Sequence, residues 1–167
     1  MTRSSTSWWG HKVRQFAGHL SARVSRAERA DLDAWLTPAQ VRLFETMHVA
    51  DRRHGLDVVA ALRAAGVEDR DVLVAGLLHD AGKGSTGVWP RVIWSLGRAW
   101  GSWVWRAAAL VPGMGDALER LREHPEISGR LAAAAGCSGR TVELIRYQDA
   151  PRDAEFGEML RLADEAN

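Results

Sequence analysis

Apolar residues recur along this chain at intervals of three and four, the period of one face of an α-helix, and seldom at intervals of two. Trp9, Val13, Phe16, Leu20 and Val24 open the series, with Lys12, Arg14, Arg23 and Arg26 around them. They predict a basic amphipathic helix, either packed on its own domain or offered to a membrane surface or a partner. Residues 1–36 are accordingly read as an N-terminal extension, and 37–167 as the main domain. Thr37-Pro38-Ala39-Gln40 carries the signals of a helix start: a hydroxyl cap, proline at the first helical position and glutamine three residues after the cap. Val41, Phe44 and Met47 give its buried face, with His48 beside them as a packing or capping residue. Asp51 to Leu56 open the next helix, Val58, Val59, Ala61 and Leu62 continue it, and Gly66 ends it. The acids of Val67-Glu68-Asp69-Arg70-Asp71 then suit the first turn of the helix that follows, where they oppose its dipole favourably.

That helix is the centre of the chain's chemistry. A mostly apolar run after Asp71 carries His79 and Asp80 side by side to its end, and Gly82 and Gly84 are expected to stop it. A buried helix has little reason to end in an imidazole and a carboxylate unless something polar sits there. Both groups suit a divalent metal ion, and Lys83 is placed to reach an anion held by it.

Residues 88–112 form a tryptophan-rich insertion. Arg91, Ser95, Arg98, Ser102 and Arg106 are spaced as one polar stripe on a single helix, with Trp94, Leu96, Trp100, Trp103, Val104 and Trp105 around the rest. A spanning helix fails on cost, since Arg98 and Arg106 would each add about 2.5–3.5 kcal/mol to insertion. A helix in the lipid interface, or a lid or homodimer helix burying its indoles against protein, remains. Further on, a short helix through Leu118 and Leu121 is expected to end near His124-Pro125. Another, marked by Ile127, Leu131 and Ala134, runs to Gly136, and one spans Thr141 to Gln148. The last turns Phe156, Met159, Leu160, Leu162 and Ala163 inward, with Asp164 close behind.

Val-Ile-Thr alternation is nearly absent, so the fold class is all-α, a single bundle of about seven to nine helices. The chain's 167 residues suffice for one domain with a real core. Net charge is +1, which argues neither way, but the arginines are interspersed with acids instead of clustered on a face, which argues against a nucleic-acid surface. The single cysteine, Cys137, excludes an internal disulfide and suits a reducing compartment. With no apolar run of signal-peptide kind near the N-terminus, a cytoplasmic location is expected, with membrane contact only peripheral.

Taken together, His54, His79, Asp80 and Asp164 resemble, in order and setting, the HD superfamily of metal-dependent phosphohydrolases over residues 50–167. Leu77-Leu78-His79-Asp80-Ala81-Gly82-Lys83 is close to that family's most specific motif. His54 falls where the family's first histidine does, and Leu162-Ala163-Asp164 looks like its closing aspartate. The resemblance implies an HD-type helical bundle in which His54, His79, Asp80 and Asp164 hold a divalent ion (Fe, Mn, Zn or Mg). It implies hydrolysis of a nucleotide or related phosphoester by a metal-activated water, with Asp80 orienting the water and Lys83 taking up negative charge. Some HD proteins, similar to bacterial diadenosine-tetraphosphate hydrolases, add two histidines and a second ion. His124 in Glu123-His124-Pro125-Glu126 looks like the first of these, as a second-site ligand or a general acid. Gln148 stands where the second is expected, and an amide oxygen is a poorer ligand than imidazole. The expectation is therefore one ion or two, with the second site lost, weakened or completed by water. The alternative is a non-catalytic HD module that senses a nucleotide or metal, or docks on a membrane surface.

Overall fold

Local capping chemistry sets the first half of the molecule. In the computed structural model, which describes residues 23–84 and 86–167, Ser25 and Glu28 form a reciprocal capping box at the start of α1 (Arg26–Leu32). Thr37 and Gln40 do the same for α2 (Pro38–Thr46), as the sequence signals require. His48 caps α3 (Val49–Ala64) by accepting from the Ala50 N–H, so this helix begins before the expected opening at Asp51. Asp69 caps α4 (Arg70–Leu78) by accepting from the Asp71 N–H. The chain continues through a 3-10 turn (Ala81–Lys83), α5 (Val88–Trp100), α6 (Trp103–Ala108), α7 (Met114–Ala134), α8 (Gly139–Arg146) and α9 (Gly157–Ala166). The described residues hold nine α-helices and no strand, in keeping with the all-α expectation. The basic helix expected around Trp9 to Leu20 lies outside the described residues.

α4 is the spine. Every residue from Val72 to Leu78 is buried, against α3, α8 and α9. Each aliphatic side chain so enclosed contributes about 1.5–3 kcal/mol of transfer free energy. The crossing of α3 over α4 is close enough to require glycine. A Cβ on Gly55 would stand 2.5 Å from the Leu77 carbonyl oxygen. This approach of two backbones brings His54, the neighbour of Gly55, against the end of α4.

Three expectations change in three dimensions. First, α4 ends at Leu78 with His79 as its C-cap, before Gly82 is reached. Gly82 lies inside the 3-10 turn, and Gly84, at φ 59°, closes it. Second, the tryptophan-rich segment is two helices. Gly101 takes φ 106°, a conformation that suits glycine, and the chain reverses there. Trp105 folds back to stack on Trp94 with ring centroids 4.7 Å apart, and its indole fills the space beside Gly97. The polar stripe expected from Arg91 to Arg106 is therefore broken. Third, α7 runs through Pro125 as one helix of 21 residues. Its buried face is Leu118, Leu121, Ser128, Gly129 and Ala132, not Ile127, Leu131 and Ala134. In α9, Leu160 and Ala163 are buried as expected, but Leu162 faces solvent.

Candidate metal centre

Each element contributes one group to a polar centre at the end of α4. His54 projects from the second turn of α3, His79 caps α4, and Asp164 comes from the last turns of α9. One nitrogen or oxygen of each lies within 4.8 Å of the other two, an arrangement that could hold a metal ion. His54 Nε2 is hydrogen-bonded to Asp164 Oδ1 at 2.8 Å. The His54 and His79 rings meet edge to face, with centroids 5.2 Å apart.

Asp80 adjoins this cluster without belonging to the trio. Its Oδ1 lies 3.5 Å from His79 Nε2 and 3.5 Å from His124 Nε2, so it stands between the two imidazoles. Its Oδ2 accepts from Lys83 Nζ at 2.6 Å. Lys83 is thus committed to Asp80, one turn back, and holds one of its two oxygens. His79 and Asp80 are each about 2% exposed.

The proton on each histidine can be placed from its neighbours. A carbonyl oxygen only accepts, so His79 Nδ1, 2.9 Å from the Gly76 carbonyl, carries hydrogen. Its Nε2 then faces the centre. His79 Nε2 and Asp80 Oδ1 are both buried and find no hydrogen-bond partner among the described residues. Buried polar atoms cost about 1–3 kcal/mol when left unpaired. An imidazole pinned through Nδ1 with a bare Nε2, beside a bare carboxylate oxygen, suits a divalent cation. The residues fit the group.

Without a cation the centre stores a proton. Burial alone would lower the pKa of His79, but the Asp80 and Asp164 carboxylates outweigh it and raise it to about 9. His79 Nε2 lies 3.3 Å from Asp164 Oδ1 without hydrogen-bond alignment, so attraction between charges holds that proton. Burial would likewise raise the pKa of Asp80; His79 and then Lys83 reverse this and hold it well below the usual range. Asp164 is also held far down, its burial outweighed by His54 and His79.

His124 owes its orientation to Pro125. Proline has no N–H to give the carbonyl four residues back, and that carbonyl belongs to Leu121. Leu121 O accepts from His124 Nδ1 instead, at 2.6 Å. This local repair lets α7 continue, and it leaves His124 Nε2 as an acceptor. Burial favours the neutral ring and lowers the pKa of His124, outweighing the opposing pull of Asp80. Gln148 Nε2 lies 3.0 Å away and donates to that nitrogen. Turning the amide over would set oxygen against a lone pair. Gln148 therefore occupies the electron pair that a second ion would need, and its own Oε1 is left buried and unpaired.

The 3-10 turn is locked to α7 beneath these groups. Gly82 N–H donates to Ser128 Oγ at 2.8 Å, and a Cβ on Gly82 would stand 2.5 Å from the His124 carbonyl oxygen. So Gly82 serves close approach and does not stop a helix. Sequence reasoning also missed Asp51. It is about 2% exposed, lies one turn before His54, and is held by both terminal nitrogens of Arg91, one at 2.8 Å. Arg91 Nε donates to the Thr86 carbonyl. The only signal in sequence was an acid three residues before His54, on the same side of a helix.

No protein-family model, no curated protein and no solved structure matches this chain. The site must therefore speak through its own chemistry.

Proposed function

We propose that this protein is a metal-dependent hydrolase of phosphoric esters, acting on a nucleotide or a related small phosphorylated compound. The observation that carries the reading is the pair of bare, buried atoms, His79 Nε2 and Asp80 Oδ1, beside His54 and Asp164. His54, His79, Asp80 and Asp164 would hold one divalent ion of the Fe, Mn, Zn or Mg class. Such an ion supplies Lewis acidity, offsetting phosphoryl charge and making water a better nucleophile near neutral pH.

The chain's own residues prepare that chemistry. Gly76 fixes the His79 ring, and Lys83 fixes one oxygen of Asp80. The other oxygen, Oδ1, is left bare for the ion. Lys83 Nζ also brings positive charge to the edge of the centre, where it would favour an anionic substrate. Its pKa is raised because the Asp80 and Asp51 carboxylates outweigh burial, so it stays charged. His124 stays neutral, its Nε2 covered by the Gln148 amide, and stands beside Asp80. The resemblance of residues 77–83 to the HD motif points the same way.

A second reading, a non-catalytic HD module that binds a metal or nucleotide, draws on Gln148, whose amide covers His124. One experiment separates the two. Protein purified without chelator is analysed for bound metal, then assayed for phosphate release from a nucleotide panel and for cleavage of bis(p-nitrophenyl) phosphate. The expected result is about one ion per chain and turnover, with His79→Ala losing both. Metal without turnover favours the module. A metal-free, inert protein rejects both.

A further inference from the structure

Of the seven large apolar side chains exposed among the described residues, five fall between 89 and 111: Trp89, Trp100, Trp103, Leu110 and Val111. They are not scattered. Trp89 and Trp100 are 11 residues apart on α5, which at about 100° per residue sets them on one face. Trp103 donates its indole N–H to the Trp100 carbonyl at 3.0 Å, so the two tryptophans adjoin across the Gly101 break. From there Trp103, Arg106, Ala107 and Leu110 continue at helical spacing, all exposed.

The charge of this surface names its partner. Residues 84–115 contain three arginines and no aspartate or glutamate. Arg91 is turned inward to Asp51, which leaves Arg98 and Arg106 on the outside. Arg98 reaches Asp149 only at 3.8 Å, with both side chains exposed. Two copies meeting here would set arginine against arginine with no acid in the segment to separate them. An anionic bilayer surface answers every feature. Its interfacial layer takes indoles, its headgroups take guanidinium groups, and the absence of carboxylates removes repulsion. No described helix is long and apolar enough to cross a membrane, so contact would be at the surface.

We propose that the face built by Trp89, Trp100, Trp103, Arg106 and Leu110 docks on an anionic lipid bilayer. This goes beyond the metal-centre reading and does not depend on it. The test is co-sedimentation of the full chain with phosphatidylcholine vesicles, with and without phosphatidylserine. Binding to the anionic vesicles is expected, about tenfold weaker to neutral ones, and weakened by salt. The triple variant Trp100→Ser/Trp103→Ser/Leu110→Ser should bind about tenfold or more less tightly. Arg106→Glu should shift binding in the same direction, and it tests the face separately if the triple variant loses helicity. The proposal is overturned if the wild type stays in solution, if both variants sediment like wild type, or if neutral vesicles bind equally. A dimer in sedimentation equilibrium that the triple variant loses, with no vesicle binding, would also overturn it by assigning the face to a second copy.

Discussion

The centre around His79 and the segment from Trp89 to Val111 break the ordinary rule of folding in opposite senses. At the centre, ionisable groups are buried: His79, Asp80 and Asp51 are each nearly sealed from solvent. In the segment, apolar groups are exposed, up to 73% for Trp89 and 86% for Leu110. Each departure costs stability, and each is what remains when a surface is arranged for something other than the chain itself. On the proposals above, the centre would take a cation and the segment an apolar, negatively charged layer. One residue joins them. Arg91 belongs to α5 by sequence but neutralises Asp51, one turn from His54.

That joint is where the comparison breaks most easily. Arg91→Ala strands a buried carboxylate and should cost about 3–5 kcal/mol in urea unfolding, with Asp51→Ala/Arg91→Ala recovering part of the loss. A cost below about 1 kcal/mol would mean the pair is incidental.

Titration of the metal-free protein comes next. His79 is raised from 6.5 to about 9, so its contribution is complete below 6.5 and disappears as pH climbs through 9. Asp80 and Asp164 are depressed from 3.8, so theirs is present above that value and lost as pH falls toward their folded values. Stability of the metal-free chain should therefore peak between the two and decline toward pH 9 by at most about 3 kcal/mol. A bound divalent ion needs neutral His79, so loading the protein should remove the alkaline decline. Thermal denaturation across pH, with and without added Mn or Zn, reads this directly. An unchanged alkaline limb would deny His79 its role as a ligand.

A smaller effect probes how tightly the centre is built. Gly82→Ala pushes a methyl against the backbone of His124, and should cost about 1–3 kcal/mol while weakening metal binding, measured by calorimetric titration. Retained stability and affinity would show that the 3-10 turn can shift freely. The smallest effect belongs to the segment. Trp103→Ser should cost no more than about 1 kcal/mol, because its ring is mostly exposed and the substitution removes one surface hydrogen bond, to the Trp100 carbonyl. A larger loss would make that tryptophan part of the fold.

Much of the scaffold could be read in one dimension because it rests on near neighbours. The Thr37–Gln40 box, the acids that open α4 and the stop at Gly66 need only residues a turn away. So did the position of His79 and Asp80 at the end of a buried helix. His54 and Asp164 could be chosen in sequence, but only the crossing at Gly55 and the packing of α9 on α3 bring them to His79. Pro125 was expected to end a helix, because its own chemistry says so. The helix persists since the adjacent histidine supplies the missing hydrogen bond. Arg91 fitted a surface stripe until a carboxylate 40 residues earlier drew it inward. The tryptophan segment fitted one helix until Trp105 found a platform on Trp94. The sequence by itself determined what each short stretch prefers, since caps, turns and periodicity act within a few residues. Only the tertiary structure decided which buried charge meets which partner, and which atoms are left with none, because those energies exist only once distant segments share a space that water has left.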